Sequence, residues 1–213
     1  MTETRKRRLP RKVREQQIID AAVQVFSKRG YHAASVDEIA ELAGISKPMV
    51  YLYLDSKEGL FLACVHREAG RLTEAFRDAA RGAHSPGLRL RAGLSAFFAF
   101  VSDHRDSWVV LHRQTSAMSE TVTAEVSKAR RSVMAQVEGL VRAGIAESAG
   151  AGAPELGDEE ADFVAHALVG AADTLTDWME SHPRETPERV TQRLMNMVWV
   201  GMRNVLAGES LEP

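Results

Sequence analysis

Apolar positions recur at spacings of three and four along most of this 213-residue chain, and no alternating stretch rises above noise, so the pattern predicts an all-α protein. Ile18, Ile19, Ala22, Val23 and Phe26 form one face of a first helix over about Arg11 to Lys28, and Arg29 and Gly30 supply a cationic last turn and a glycine stop. Ser35 opens a short second helix, with Glu38 placed to complete a capping box and Val36, Ile39, Ala40 and Ala43 facing inward until Gly44 ends it. Ser46 is the next N-cap and Pro48 lies in the first turn, where its missing N–H costs little. That third helix runs to Leu54, with Val50 and Leu54 on its packing face.

Asp55 and Glu58 predict a second capping box and a long fourth helix to about Ala80, carrying Leu60, Phe61, Cys64, Val65, Glu68, Leu72, Ala75 and Phe76 at helical spacing. Ser85 and Pro86 start a fifth, from Gly87 to about Ser102. A short sixth spans Asp106 to Gln114, and a long seventh spans Ser119 to Glu147. The stretch SAGAGAPELGD is the clearest internal break. Two last helices, Glu159 to Glu180 and Thr186 to Leu206, follow, the second with Thr186 as cap and Pro187 at its first position.

Composition changes this picture little. Hydrophobic residues are 45% and charged residues 26%, ordinary for a globular protein. The single cysteine, Cys64, excludes an intrachain disulfide framework and a cysteine-based zinc cage, and its place on an apolar stripe predicts a buried thiol. No apolar run reaches the roughly 20 residues that span a bilayer, and the basic N-terminus lacks a following apolar region, so a cytoplasmic protein with no membrane partner is expected.

Charge adds more. The net charge of -2 hides a basic end: residues 1–60 carry eleven Lys/Arg against eight Asp/Glu, whereas residues 61–213 carry sixteen against twenty-one. Most of the excess is Arg5, Lys6, Arg7, Arg8, Arg11, Lys12 and Arg14, either a solvated tail or an arm that follows DNA phosphates or a minor groove.

The third helix carries the most informative chemistry. With Val50 and Leu54 inward, Pro48, Met49, Leu52 and Tyr53 look outward, flanked by Lys47 and Tyr51, and an apolar outer face on so short a helix calls for a partner. A DNA major groove fits: Lys47 can donate to guanine, Pro48, Met49 and Leu52 can touch thymine methyls, and Tyr51, Tyr53 and Lys57 can bind phosphates. The caps Ser35 and Ser46 complete the expected DNA-contact set. By this chemistry alone a protein–protein patch remains the alternative.

Residues 11–62, above all VDEIAELAGISKPMVYLYLDSKEGLF, resemble the N-terminal DNA-binding domain of the TetR (tetracycline-repressor) family. Tyr31 matches the aromatic after the first-helix glycine. Ile39, Ala40, Ala43, Gly44, Ile45 and Ser46 match its central run, and Tyr51, Tyr53, Leu54, Ser56, Lys57 and Glu58 its closing element. Pro48 and Leu54 depart from the family pattern, which commonly has a small residue and phenylalanine there.

The resemblance implies a helix-turn-helix domain joined by a long helix to a helical-bundle domain that senses a ligand and dimerises. The corresponding division is a basic arm at 1–10, a DNA-binding domain at 11–55 and a sensing and dimerisation domain at 56–213. It implies a homodimer on palindromic double-stranded DNA, usually a repressor, released by a small apolar or amphipathic effector, with activation or ligand-independent binding as other modes.

For the implied cavity, Trp108 and His112 share one helical face near Gln114, His166 and Asp173 share another, and Phe97 and Phe100 can supply wall. Each also has a plain reading as a satisfied histidine, a solvated aspartate or a core aromatic. The implied dimer interface comprises Phe163, Ala167, Gly170, Ala171 and Trp178 on the eighth helix. On the ninth it comprises Leu194, Met197, Val198, Gly201, Met202 and Val205, some of which must serve the chain's own core.

The competing class is a small helical enzyme. Seven histidines invite that search, yet there is no HExxH, GxSxG or phosphate-cradling glycine loop, and neither metal nor cofactor is expected. A purely architectural DNA binder would leave the acidic second domain without a role. Deleting residues 1–10 should lower DNA affinity and flatten its salt dependence, measured by anisotropy titration across salt concentrations. An unchanged slope would make the segment a passive tail.

Overall fold

The structure, a computed structural model, describes residues 10–112, 120–148 and 158–206; the side chains of residues 129, 144–148, 158, 160 and 199–206 lie outside that description. The basic arm and Gln114 therefore fall outside it, as do the side chains of Met202 and Val205 and the packing around Gly201.

Every regular element among the described residues is an α-helix: α1 (Arg11–Ala33), α2 (Val36–Leu42), α3 (Lys47–Leu54), α4 (Lys57–Arg81), α5 (Pro86–Asp103), α6 (Arg105–His112), α7 (Glu120–Ser148), α8 (Asp158–Glu180) and α9 (Pro187–Leu206). The expected boundaries hold to within a residue or two at most ends. Caps explain several of them. Ser85 Oγ accepts from Leu88 N and Thr186 Oγ1 from Arg189 N, each with proline at the first helical position. Gly30 (φ 75°, ψ 162°) breaks α1 with a backbone conformation open essentially to glycine alone, and the chain resumes helical form through Ala33.

Two expected capping boxes do not form. Ser35 Oγ accepts from Asp37 N, but Glu38 turns to Arg29 at 3.4 Å instead of reaching back to Ser35. At α4 the cap is Ser56, whose Oγ accepts from Gly59 N, and Asp55 belongs to the end of α3. Ser46 caps α3 through its carbonyl, which accepts from Met49 N and Val50 N, without a side-chain bond.

The chain divides into two compact units: Met1–Ala69 with Asp106–Val126, and Gly70–Arg105 with Ser127–Pro213. In the first, α2 packs on α1 and α3 on α2. Its core is Ile18, Ala22, Phe26, Ile39, Val50, Leu60, Phe61, Cys64 and Val65, all 1% exposed or less. Nearly all of these come from the faces that the apolar spacing marks. Burial pushes the Cys64 thiol well above its ordinary pKa, and its Sγ faces the Ile19 carbonyl, so it is a packed and unreactive group. Glu68, fully buried, accepts at Oε1 from Arg67 Nε at 2.7 Å and lies 2.6 Å from Arg67 Nη2, and Arg67 also reaches Asp20 at 2.7 Å. This unit also takes in α6 and the first turns of α7. Ser27 of α1 donates to Asp106 at 2.7 Å, and His66 of α4 lies 2.9 Å from Glu125 of α7.

In the second unit α5 packs chiefly on α9 and also on α8, and α8 packs on α9. Leu90, Leu94, Phe97, Phe98, Phe100 and Val101 of α5 meet Val190 and Leu194 of α9 and Leu168 and Ala172 of α8 in its core. Gly93 of α5 faces the Phe76 ring so closely that a Cβ would lie 2.5 Å from it, whereas a Cβ on Gly70 of α4 would meet open space. Gly93→Ala should therefore lower stability by roughly 1–3 kcal/mol through overpacking. Gly70→Ala should raise it by about 0.5–1 kcal/mol, because a helix-interior glycine costs backbone entropy. Chemical denaturation of the two variants beside the parent checks both signs.

Candidate nucleic-acid interface

The turn between α2 and α3 follows from Gly44, whose φ of 66° lets Ile45 N bond Ala40 O and Gly44 N bond Glu41 O, closing α2 in a Schellman pattern. Ser46 then starts α3 at a new angle. Val50 is 1% exposed and anchors the helix, and Leu54 is half-buried. On the other face Lys47, Pro48, Tyr51 and Leu52 are exposed, Leu52 at 67%, while Met49 and Tyr53 are half-buried. An eight-residue helix with one anchor beneath it and a leucine that exposed presents a surface rather than filling a core.

Lys47, Tyr53 and Lys57 each have a defined partner. Lys47 Nζ donates to Asp37 Oδ2 at 2.9 Å; this hydrogen bond, and then the carboxylate charge, raises the lysine pKa, so the ammonium is firmly charged. The Arg11 guanidinium stands 5.4 Å from the centre of the Tyr53 ring, tying the start of α1 to α3 by a cation–π contact. Lys57 Nζ donates to the His32 carbonyl at 3.1 Å and lies 4.9 Å from the Tyr31 ring centre; burial lowers its pKa. Lys57 thus holds the break in α1 to the start of α4, a bracing contact that spacing did not reveal. Asp37 and Arg11 also escaped notice as neighbours of the site, since one reads from sequence as a first-turn acid and the other as part of a basic run.

The joint from α3 to α4 is short and strained. Asp55 (φ 54°, ψ -47°) is the centre of a three-residue turn closed by Ser56 N on Leu54 O, the rare and strained hand of γ-turn. Gly59 closes the same corner: a Cβ there would lie 2.8 Å from the Leu54 carbonyl oxygen. The ring of Phe61 meets Phe26 at 5.1 Å and Tyr31 at 5.2 Å, both edge-on, which fixes the first turns of α4 against α1.

The candidate effector residues fall into two groups. Trp108 and His112 belong to the first unit, their rings stacked at 4.7 Å. Phe97, Phe100, His166 and Asp173 belong to the second. There Phe97 and Phe100 are buried, His166 Nδ1 lies 2.9 Å from the Asp162 carbonyl on the exposed side of α8, and Asp173 pairs with Arg130 of α7 at 2.9 Å. Phe97 and Phe100 thus serve as core aromatics, whereas Asp173 is not the solvated aspartate of the plain reading but a largely covered partner of Arg130. Among the expected dimer-interface residues, Phe163 (73% exposed) and Met197 (66%) stand out, with Ala167 and Gly170 exposed beside Phe163 on α8. Ala171, Trp178 and Val198 are half-buried. Leu194, at 2%, is core of the single chain, because α9 turns it toward α5.

The sequence matches two family models, "bacterial regulatory proteins, tetR family" over residues 18–64 and "tetracyclin repressor-like, C-terminal domain" over residues 86–201. It is 31% identical to the HTH-type transcriptional activator FasR of Mycolicibacterium smegmatis, over 93% of this chain and 87% of that protein. The fold is similar to a TetR-like transcriptional regulator from Rhodococcus sp. RHA1 (TM-score 0.75, 38% identity, 92% of this chain and 99% of that one). It is also similar to FadR of Bacillus subtilis in complex with stearoyl-CoA (TM-score 0.73, 19% identity, 86% and 96%), a likeness of fold alone.

The α3–α4 joint yields a paired prediction. Asp55→Gly removes a positive-φ side chain and should raise stability by roughly 1 kcal/mol, whereas Gly59→Ala should lower it by about 1–3 kcal/mol as the corner is forced open. Thermal unfolding gives the signs, and parallel DNA titrations should show weaker binding for Gly59→Ala.

Proposed function

Since the chain belongs to the TetR family of bacterial transcriptional regulators, a DNA-binding regulator rather than an enzyme, we propose that it reads a palindromic operator as a homodimer and that a small amphipathic effector changes its hold on that DNA. The observation that carries the DNA-reading part is α3, with Val50 buried beneath it and Lys47, Pro48 and Leu52 exposed above. Placed in a major groove, Lys47 donates to a guanine edge, while Pro48, Met49 and Leu52 pack on thymine methyls. Tyr51 and Tyr53 hold phosphates, and so does Lys57 through whichever donors its bond to His32 leaves free. Residues 11–55, with Lys57 just beyond them, carry this role, and the rest of residues 56–213 carries sensing and pairing.

Pairing has its own support. Phe163 and Met197 are large apolar side chains left in water, and small residues beside Phe163 let a second helix approach closely. A second copy of the same face covers them with two-fold symmetry, and a two-fold dimer sets its reading helices about 34 Å apart, one turn of DNA. An effector acts only through a difference in affinity between two conformers of the dimer, one matched to that spacing and one not. Its seat is the helical bundle, whose aromatic-rich α5 suits an apolar chain.

Repression with release is the reading we carry. Activation is the second reading, favoured by one observation: the Mycolicibacterium relative is named an activator. The stearoyl-CoA held by the Bacillus FadR makes an acyl thioester a rational first probe. Light scattering should give the mass of two chains, and labelled duplex from upstream of the gene should be bound with that stoichiometry. Adding stearoyl-CoA should weaken binding. Tighter binding would replace release with effector-assisted binding, and no change would remove acyl thioesters as the effector class.

A further inference from the structure

Lys47 and Asp37 form an ion pair that neither fold nor stability explains. The lysine occupies the first position of α3, the positive end of a helix, where a cation is disfavoured. Asp37 stands in the first turn of α2, where an anion is welcome, and its backbone N–H is already taken by Ser35. The two side chains meet at 2.9 Å while 44% and 67% exposed, and exposed pairs of this kind contribute little to folding. Asp37 nonetheless settles where the ammonium of the reading helix points.

We propose that Asp37 is a specificity-determining positioning residue, which holds Lys47 toward a base edge and keeps it from acting as a general phosphate ligand. The inference rests on the reading that α3 enters the major groove. A lysine has three donors on a flexible stem and no acceptor. With one donor held by Asp37, the remaining two are left for DNA in a restricted set of directions. A free lysine at the same place takes whichever phosphate is nearest, which adds affinity without sequence information. The carboxylate adds a second effect. Close to DNA it is repelled by phosphates, and that cost is offset only where Lys47 meets a guanine O6 or N7. Asp37 therefore lowers affinity for most sequences and preserves it for one.

The test uses the full chain in four forms: parent, Asp37→Asn, Lys47→Ala and the double variant, with Asp37→Glu as the conservative rescue. Each is used to select duplexes from a pool with a randomised central segment. Each is then titrated across salt concentrations with the parent's consensus duplex, single-base variants of it and a scrambled duplex. Asp37→Asn should bind the scrambled duplex several-fold more tightly. Its salt dependence should steepen by about 0.9 in log–log slope, the value of one added phosphate contact. Its discrimination at one base pair should fall by roughly five-fold or more, the lower end for loss of a directed base contact.

Asp37→Glu should restore discrimination, and in the Lys47→Ala background Asp37→Asn should leave discrimination unchanged. Three results overturn the proposal: retained discrimination in Asp37→Asn, equal gains on all duplexes irrespective of Lys47, or parallel losses on all duplexes together with a lowered unfolding temperature. A consensus unchanged by Lys47→Ala would instead remove the underlying placement of α3, a separate and recognisable failure.

Discussion

The edge-on packing of Phe61 against Phe26 and Tyr31 fixes the first turns of α4 against α1, and the position of α3, the proposed reading helix, follows from that. Phe26 and Phe61 are fully buried, as are Leu60 beside Phe61 and Cys64 and Val65 on the following turn of α4. Tyr31 reaches this cluster only because Gly30 turns the backbone out of α1 just before it. Burial raises the Tyr31 pKa, so its hydroxyl stays neutral beneath the Lys57 ammonium. The helix α3 contributes only Val50 to the fully buried set.

That arrangement separates stability from recognition. Apolar burial along α1 and α4 carries the folding energy of the first unit, supported by the Arg67–Glu68 pair, in which a buried carboxylate is compensated by two short charge-assisted bonds. The exposed pairs Arg29–Glu38 and Lys47–Asp37 lie outside that account, since solvent screens them. Substitutions at Lys47, Pro48 or Leu52 therefore alter the exposed face of α3, the proposed reading surface, with little effect on whether the chain folds.

Helix positions were legible because they follow from local rules. Apolar spacing picked out most of the buried faces of α1 and α2, missing Ala21 and Val25, and Ser85–Pro86 and Thr186–Pro187 mark helix starts by chemistry that acts within one turn. The outward face of α3 was legible in the same way, from one inward valine and its exposed neighbours. Choices between partners were not. Glu38 could satisfy Ser35 or Arg29, and Lys57 could face solvent or Tyr31, each settled by a side chain brought near from elsewhere in the chain, while Ser56 rather than Asp55 caps α4 because Asp55 is taken into the tight turn that ends α3. Likewise, no spacing rule places α6 with α1, a grouping that includes the Ser27–Asp106 hydrogen bond across 79 positions.

The three-residue corner at Asp55 leaves the chain no slack between α3 and α4. Each residue of an α-helix advances the azimuth by about 100°, so inserting or deleting one residue there would rotate the first turns of α4 by that angle relative to the exposed face of α3. Loops elsewhere in helical proteins absorb such changes; this one cannot, because the Leu54 carbonyl already leaves no room for a side chain at Gly59. The corner therefore acts as a phase lock. Exposed side chains of α3 can diverge with less consequence than a change in the number of residues at the corner.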